Sequence, residues 1–200
     1  TPEQAEEYLT LWRGAEYVTV YGTPDLRALA VECTDGENGS RIAELYANRY
    51  TGNWHRLLAA LFSDDIRKVG HDVKDMMRAL LEQELPAGGF VFDTALAAYL
   101  VDNEELPKPA HLQPDAFSPL AGDVVPAQTA LLSYTSAVSA LYETLLPKLR
   151  DMQLEELYYQ VELPLCRVLA DMEIAGFPVD RKELAAFGTV LQEATDRTEQ

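Results

Sequence analysis

The chain has 200 residues, of which 48% are apolar, enough to bury a full hydrophobic core in one domain of ordinary size with an appendage. Its net charge of −17, from 16 Lys and Arg against 33 Asp and Glu, argues against a nucleic-acid interface built on basic residues. No apolar run approaches the ~20 residues of a membrane span, and the N-terminus lacks the pattern of a signal peptide, so we expect a cytoplasmic protein without membrane contact.

Residues 1–62 combine a helix, three strands and a second helix. Tyr8, Leu9 and Trp12 recur at helical spacing and predict a short N-terminal helix. Residues 17–21, 26–33 and 41–46 are rich in β-forming side chains, and turn residues separate them, including a DGENG sequence at 35–39. Apolar residues return to helical spacing at 54–62. The pattern predicts three strands joined by tight turns between two helices.

Residues 67–102 contain the most regular pattern of the chain. A short apolar piece at 69–70 leads into a helix over 73–85, and Asp72 is placed to cap its first turn. Pro86 and two glycines break this helix, residues 90–92 form a buried strand, and Asp93 caps the next helix. Strand–helix alternation of this kind predicts an α/β layer fold.

The remaining chain reads as an irregular loop followed by three helices. Five prolines lie between 102 and 126, and Pro126 suits the first turn of a helix that Pro147 ends. The next helix covers 154–174, is kinked by Pro164 and is followed by Gly176 in the left-handed region. Its apolar face consists of Leu157, Tyr158, Val161, Leu165, Val168, Leu169 and Met172.

We expect this face to be covered by residues 1–150 or by a second copy, so that the chain is a monomer or a weak dimer. Asp180 and Glu183 form a capping-box-like start to the last helix. That helix has no stop signal, and we expect it to fray from about Thr189 onward.

Two sequence blocks resemble the 3′–5′ exonuclease (proofreading) domain of bacterial family A DNA polymerases. The first is KVGHDVKDM followed by FDTALAAYLVD, within residues 68–102, and the second is VELPLCRVLADMEIAGFPVDRKEL, within residues 161–184. The resemblance is close over 66–104 and 134–190 and loose over 16–62. It implies an RNase H-like α/β fold for 1–150, with a mixed sheet flanked by helices. It also implies that 151–200 are an appended helical segment, the start of the polymerase domain.

Two-metal phosphodiester hydrolysis needs several carboxylates converging on two divalent cations. The resemblance implies an Asp-x-Glu on the first strand, an Asp in the helix of the second motif and a Tyr-x-x-x-Asp on a late helix. In this chain the corresponding positions are Tyr21, Met76, Tyr134 and Val138. Apolar side chains cannot bind a hard cation, so we expect a degenerate site that binds no metal pair and whose Met76 and Val138 belong to the core.

Other acids near these positions leave an alternative open. Asp35 and Glu37 form a literal Asp-x-Glu within a turn, Asp72 is expected to be a helix cap, and Asp75 is one residue from the implied position. His55, His71 and His111 lack partners at metal or triad spacing, and Cys33 and Cys166 are expected to be buried thiols.

The resemblance, together with the missing carboxylates, therefore implies a catalytically silent exonuclease-like domain that acts as a scaffold within a DNA polymerase I. The fragment itself would need no cofactor, whereas the parent polymerase would use Mg²⁺. Its partners would be the rest of the polymerase chain and, in the full enzyme, DNA, with weak or no DNA binding by the fragment alone. The alternatives are an active metal-dependent exonuclease with relocated carboxylates at Asp35, Glu37, Asp72 and Asp75, or an acidic protein-interaction module.

Overall fold

The structure is a computed structural model that describes residues 1–35, 39–101 and 127–198. Its centre is a five-stranded mixed sheet with the strand order β3-β2-β1-β4-β5, and helices cover both faces. The predicted α/β class, with a mixed sheet flanked by helices and an appended C-terminal helical segment, is confirmed. No helix in the described ranges is long and apolar enough to cross a membrane.

The strands are β1 (Val18–Gly22), β2 (Ala28–Asp35), β3 (Gly39–Tyr46), β4 (Lys68–Gly70) and β5 (Phe90–Asp93). The helices within residues 1–101 are α1 (Pro2–Gly14), α2 (Trp54–Leu61), α3 (Val73–Leu81) and α4 (Thr94–Val101). The helices within residues 127–198 are α5 (Ala127–Asp151), the single turn α6 (Glu155–Leu157), a π-helical turn (Tyr158–Glu162), α7 (Leu163–Ala175) and α8 (Arg181–Thr198).

The sheet combines an antiparallel half with a parallel half. β1, β2 and β3 pair as an antiparallel meander, in which Thr19 lies opposite Glu32 and Glu32 lies opposite Ile42. β4 pairs in parallel with β1, and β5 pairs in parallel with β4. The strand–helix–strand–helix unit predicted for 67–102 therefore supplies the parallel half and continues the meander on the β1 side.

Two apolar clusters lie on opposite faces of the sheet. The first contains the buried sides of α1, α2 and α3 and also two small residues of α7, Cys166 and Ala170. The second contains α4, α5 and Tyr158 of the π-helical turn. Leu9 and Trp12 anchor α1 in the first cluster, as their helical spacing predicts.

Lys68 is the first residue of β4 and is completely buried. Its Nζ lies 5.8 and 5.7 Å from the ring centroids of Phe62 and Phe90. The same ammonium donates to three carbonyl oxygens, those of Leu61 at 3.0 Å, Ser63 at 2.9 Å and Ile66 at 2.6 Å. Burial lowers the pKa of Lys68 to about 7.

The structure corrects three predictions about helix ends. Pro147 does not end α5, which continues to Asp151, because the buried Leu145 and Leu149 hold the last turns against the second cluster. Before Pro164 the chain forms a π-helical turn rather than a simple kink, since a wider turn accommodates a residue without a backbone N–H. Gly176 has the expected positive φ of 62°, but its ψ of −172° is extended instead of left-handed helical.

The face of α7 that packs against the domain also differs from the prediction. Cys166 and Ala170 are buried, whereas the expected Leu165, Val168 and Met172 are exposed. Small residues four apart allow α7 to approach α3 closely, and this places the larger apolar side chains on the opposite side. Of the predicted face, only Tyr158 is buried.

The last helix begins as predicted, with Asp180 Oδ1 accepting from the backbone N–H of Lys182 at 2.9 Å and of Glu183 at 3.3 Å. The predictions for Pro126 and for the proline-rich loop lie outside the described residues.

Candidate functional site

The three parallel strands end at the same edge of the sheet, and polar side chains follow them there. Tyr21 lies near the end of β1, His71 follows β4, and Asp93 ends β5. His71 and Asp93 are buried. The carboxyl ends of parallel strands are a usual place for ligands in α/β folds, so this edge is the candidate site.

Tyr21 and Tyr134, two of the positions implied by the resemblance, meet at this edge. Their rings stack with centroids 5.0 Å apart. Burial raises the pKa of the Tyr21 phenol, and the nearby Tyr134 and Asp72 raise it further. The Tyr21 hydroxyl therefore remains protonated at neutral pH, where a two-metal site would need an ionised carboxylate.

Met76 and Val138 are both buried, with exposures of 9% and 0%. Met76 belongs to the first apolar cluster, and Val138 packs in the second with Val69 and Phe92. The two side chains thus serve separate parts of the core rather than one shared pocket. Neither carries an atom that binds a hard divalent cation.

Asp93 is the principal acceptor of the candidate site. Its Oδ1 accepts from Asp72 N at 3.1 Å and Ala95 N at 2.9 Å, and its Oδ2 accepts from Val73 N at 2.9 Å. Leu96 N donates a longer bond of 3.4 Å to Oδ1. One carboxylate therefore caps the starts of both α3 and α4. The predicted cap on α4 is confirmed, and the cap on α3 is a function of Asp93 that sequence reasoning missed.

The prediction that the Asp72 side chain caps α3 is wrong. Asp72 occupies the N-cap position, but it adopts a left-handed conformation with φ 53° and makes no side-chain cap hydrogen bond. This backbone geometry turns the Asp72 N–H toward Asp93 and leaves the Asp72 carboxylate pointing to solvent, 3.7 Å from His71 Nε2. Asp93, the last residue of the neighbouring strand β5, caps α3 instead.

Asp35 and Asp75, two further acids of the alternative site, do not meet at this edge. Asp75 is exposed, as its position on the helix predicts, and lies 3.5 Å from Lys74 and 4.0 Å from Arg78. Asp35 ends β2 opposite Gly39 in the antiparallel half of the sheet, and Glu37 lies outside the described residues. Within the described ranges, no three His, Cys, Asp or Glu side chains lie close enough together to hold a metal ion.

The two histidines within the described residues, His55 and His71, contact different groups. His71 Nδ1 lies 2.8 Å from Thr94 Oγ1, and the Thr94 hydroxyl also donates to the Gly70 carbonyl at 3.2 Å. The exposed His55 contacts the Gln83 carbonyl at 3.0 Å. His111 belongs to a range that the structure does not describe.

Tyr158 links the C-terminal helices to the candidate site. Its hydroxyl accepts from Asp93 N at 2.6 Å and donates to the Asp93 carbonyl at 3.1 Å. Burial raises the pKa of this phenol, so it stays protonated and can keep both roles. The sequence shows Tyr158 only as one more apolar-face residue, and no local signal distinguishes it from a packing tyrosine.

A crevice of about 280 Å³ lies beside this network, between α3, the start of α4 and α7. Its lining includes the carboxylates of Asp72, Asp75 and Glu162 and the thiol of Cys166. Burial raises the pKa of Cys166 to about 11, which keeps the thiol protonated at neutral pH. The protonated thiol packs as an apolar group of the first cluster.

Comparison with known proteins relates most of the chain to one family of enzymes, although no family model matches it. DNA polymerase I of Geobacillus stearothermophilus is 29% identical over 72% of this chain, and DNA polymerase I of Mycobacterium tuberculosis is 30% identical over 90% of it. The chain is homologous to a segment of DNA polymerase I. It spans only 18% and 22% of the lengths of these two polymerase I relatives.

A solved structure of a polymerase I supports the same relationship. The chain is similar to the POL domain of Pol1 from M. smegmatis, in complex with a DNA primer-template and dNTP, with a TM-score of 0.73 and 27% identity. The similarity covers 96% of this chain and 34% of that one. The polymerase I relationship therefore includes both the sheet and the C-terminal helices.

Proposed function

We propose that this chain is a catalytically silent 3′–5′ exonuclease-like domain of a DNA polymerase I, and that it acts as a scaffold in DNA synthesis and repair. In this proposal residues 1–150 are the exonuclease-like domain and residues 151–200 begin the polymerase domain. The homology supports the connection with polymerase I.

The observation that carries catalytic silence is the chemistry at the implied ligand positions. Tyr21 supplies a protonated phenol, and Met76 and Val138 supply buried apolar groups. A metal pair held by four or more hard oxygen ligands cannot form on such side chains. Asp93, the buried acid at this edge, is already used by four backbone N–H groups and is therefore a structural group.

The contacts between the two segments support a scaffolding role. Glu173 of α7 accepts from Lys74 at 2.5 Å and pairs with Arg78 at 3.3 Å, both on α3. Tyr158 adds two hydrogen bonds to the β5–α4 junction, and Cys166 and Ala170 enter the first apolar cluster. Apolar, ionic and hydrogen-bond contacts together fix α7 on the domain that precedes it.

The opposite side of α7 and the exposed apolar side chains of α8 suit a further protein partner. Large apolar side chains are exposed along both helices, and Phe177 between them is 83% exposed. Others on this surface include Leu165, Val168, Leu169, Met172, Leu184, Phe187, Val190 and Leu191. A surface of this kind is seldom left in contact with water. We assign it to the rest of the polymerase chain, because the matched segment is only 18% and 22% of the lengths of these polymerase I relatives.

DNA and metal are assigned to the parent enzyme rather than to this segment. With a net charge of −17, the isolated chain has little attraction for a phosphate backbone. Mg²⁺ would serve nucleotide transfer in the polymerase part, for which this chain provides no residue. We therefore expect DNA contacts only where the assembled enzyme brings other residues to the duplex.

The proposal is tested by a degradation assay with the purified chain and a 5′-labelled single-stranded oligonucleotide in Mn²⁺ or Mg²⁺. We expect no metal-dependent shortening, and a working 3′–5′ exonuclease under identical conditions serves as the positive control. Shortening that a Asp35→Ala/Glu37→Ala variant abolishes would replace the proposal with a relocated active site. If instead Asp72→Ala/Asp75→Ala abolished it, the crevice beside α3 would be that site.

A further inference from the structure

The exposed apolar side of α7 extends into the crevice between α3, α4 and α7. Leu165 and Leu169, one helical turn apart, belong to that exposed side and also line the crevice. The facing wall is α4, which contributes Ala95 and Leu96. Tyr99, one turn further along the same side of α4, is 70% exposed. The crevice therefore has apolar walls on two helices, and both walls continue outward into exposed apolar surface.

The charges of the crevice lining do not balance one another. The lining contains the acids Asp72, Asp75, Asp93 and Glu162 and the base Lys74. Asp93 is buried and accepts only from backbone N–H groups. The Lys74 ammonium is directed to Glu173 at 2.5 Å and lies 3.5 Å from Asp75, so Lys74 is already shared between two carboxylates. Its charge leaves the other acids of the lining uncompensated.

Asp72 and Glu162 are the two carboxylates with capacity for a further partner. Glu162 forms no ion pair with any residue that the structure describes. The Asp72 side chain is 61% exposed and lies 3.7 Å from His71 Nε2. Asp72 precedes α3 and Glu162 precedes α7, so the two acids come from different elements of the crevice. A positive group in the crevice would lie near both.

The size of the crevice indicates what kind of group fits. Its volume of about 280 Å³ is just below the range of about 300–1,000 Å³ that is usual for small-molecule sites, but it is sufficient for one long side chain. An Arg or Lys side chain can lay its aliphatic part along the leucines while its charged end reaches the carboxylates. A phosphate group would meet like charge there.

We propose that the crevice receives one basic side chain from an amphipathic helix in the rest of the polymerase chain. The apolar side of that helix covers Leu165, Val168 and Met172, whose spacing of three and four residues suits a helix packed against α7. The assignment of the helix to the polymerase chain rests on the proposed function. The chemistry of the docking site rests on the residues that line it.

The test is a titration of the purified, ¹⁵N-labelled chain with the blocked peptide QLAAQRAQLAAQLAAQ, which as a helix places its leucines and its arginine on one side. We expect half-saturation at about 1 mM or below, the strength of a weak peptide contact. The amide signals of Asp72, Glu162 and Leu165 should shift, whereas those of the distant strand β3 should not. The same peptide with glutamine in place of the arginine should bind about fivefold more weakly.

Matched variants identify the groups that hold the arginine. Asp72→Asn combined with Glu162→Gln should weaken binding of the arginine peptide about fivefold and leave binding of the glutamine peptide unchanged. Asn tolerates the left-handed backbone of residue 72, where φ is 53°, so the fold is preserved. Asp171→Asn is the control, since this exposed acid of α7 pairs with Arg167 at 2.9 Å and does not line the crevice. Leu165→Ala should weaken binding of both peptides.

The full-length polymerase provides the test of the occupant. Its own helix should fill the crevice, so we expect it not to bind the peptide. Equal binding of the peptide by the full-length enzyme and by the isolated chain would overturn the assignment to the polymerase chain.

The docking site itself is overturned if the arginine and glutamine peptides bind equally well, or if the Asp72→Asn/Glu162→Gln variant binds the arginine peptide normally. Signals of Leu165 to Met172 that shift with the concentration of the chain alone would assign the surface to a second copy instead. None of these results bears on catalytic silence, which the degradation assay tests separately.

Discussion

Val138→Asp restores an acid at the position where the resemblance implies a metal ligand, and we expect it to damage the fold without restoring activity. Val138 is completely buried in the second apolar cluster, beside Val69 and Phe92. An isolated carboxyl in such a site has its pKa raised by at least about 3 units, which corresponds to about 4 kcal/mol at pH 7. Losing the valine side chain adds about 2 kcal/mol.

The expected total of about 6 kcal/mol is comparable to the entire stability of many domains. Urea denaturation followed by circular dichroism measures it, with Val138→Ala as the packing control and Ser136→Asp as the exposed control on the same helix. Acidification should reduce the cost of Val138→Asp, because the introduced carboxyl has a higher pKa in the folded state. Stability is then regained as the pH falls through that pKa, while the cost of Val138→Ala stays constant.

Two results would refute this reasoning. In the first, the unfolding free energy of Val138→Asp is within about 1 kcal/mol of that of the unsubstituted chain and the difference does not change with pH. Position 138 would then be accessible to water. Metal-dependent cleavage of an oligonucleotide by Val138→Asp combined with Met76→Asp would mean that only the ligands, and not the pocket, have been lost.

Three further predictions follow from the contacts of the fold. Asp93→Ala should lower the unfolding free energy by about 3 kcal/mol, because it removes the caps of two helices, whereas the exposed Asp75→Ala should change it by less than about 0.5 kcal/mol in the same urea titration. Lys68→Met should cost about 3 kcal/mol by leaving three carbonyls without their donor. The pKa of Lys68 falls from 10.5 to about 7 on folding. The unfolding free energy of the unsubstituted chain should therefore increase relative to that of Lys68→Met as the pH rises from about 7 to 10.5. Amide hydrogen exchange should be slow in the part of α7 around Cys166 and fast after Thr189, and equally slow exchange throughout α8 would contradict its exposure.

The elements with strong local patterns were predictable from the sequence. The meander of β1 to β3 follows from β-forming residues separated by turn residues, and the β4–α3–β5–α4 unit follows from its alternation of short apolar runs and helical spacing. The burial of Met76 and Val138 was predictable for the same reason, since each continues the apolar stripe of its helix. These features depend on the periodicity of neighbouring residues.

Predictions that required knowledge of a neighbouring element were less successful. Pro147 breaks a helix by local rules, but the packing of Leu145 and Leu149 outweighs the loss of one hydrogen bond. The large apolar residues of α7 predicted its buried face, yet close packing against α3 selected the small Cys166 and Ala170. Neither choice could be read from the helix itself.

The sequence alone determined the α/β class, the type and order of most elements and the absence of acids at the positions that the resemblance implies, because each depends on residue type and local spacing. The tertiary structure decided that Asp93 caps two helices, that Tyr158 joins the C-terminal helices to that cap and that α3, α4 and α7 enclose a crevice. Each of these depends on groups brought together from distant parts of the chain. The direction of an N–H or C=O group in space is set by strand register and helix placement, which no side-chain pattern records.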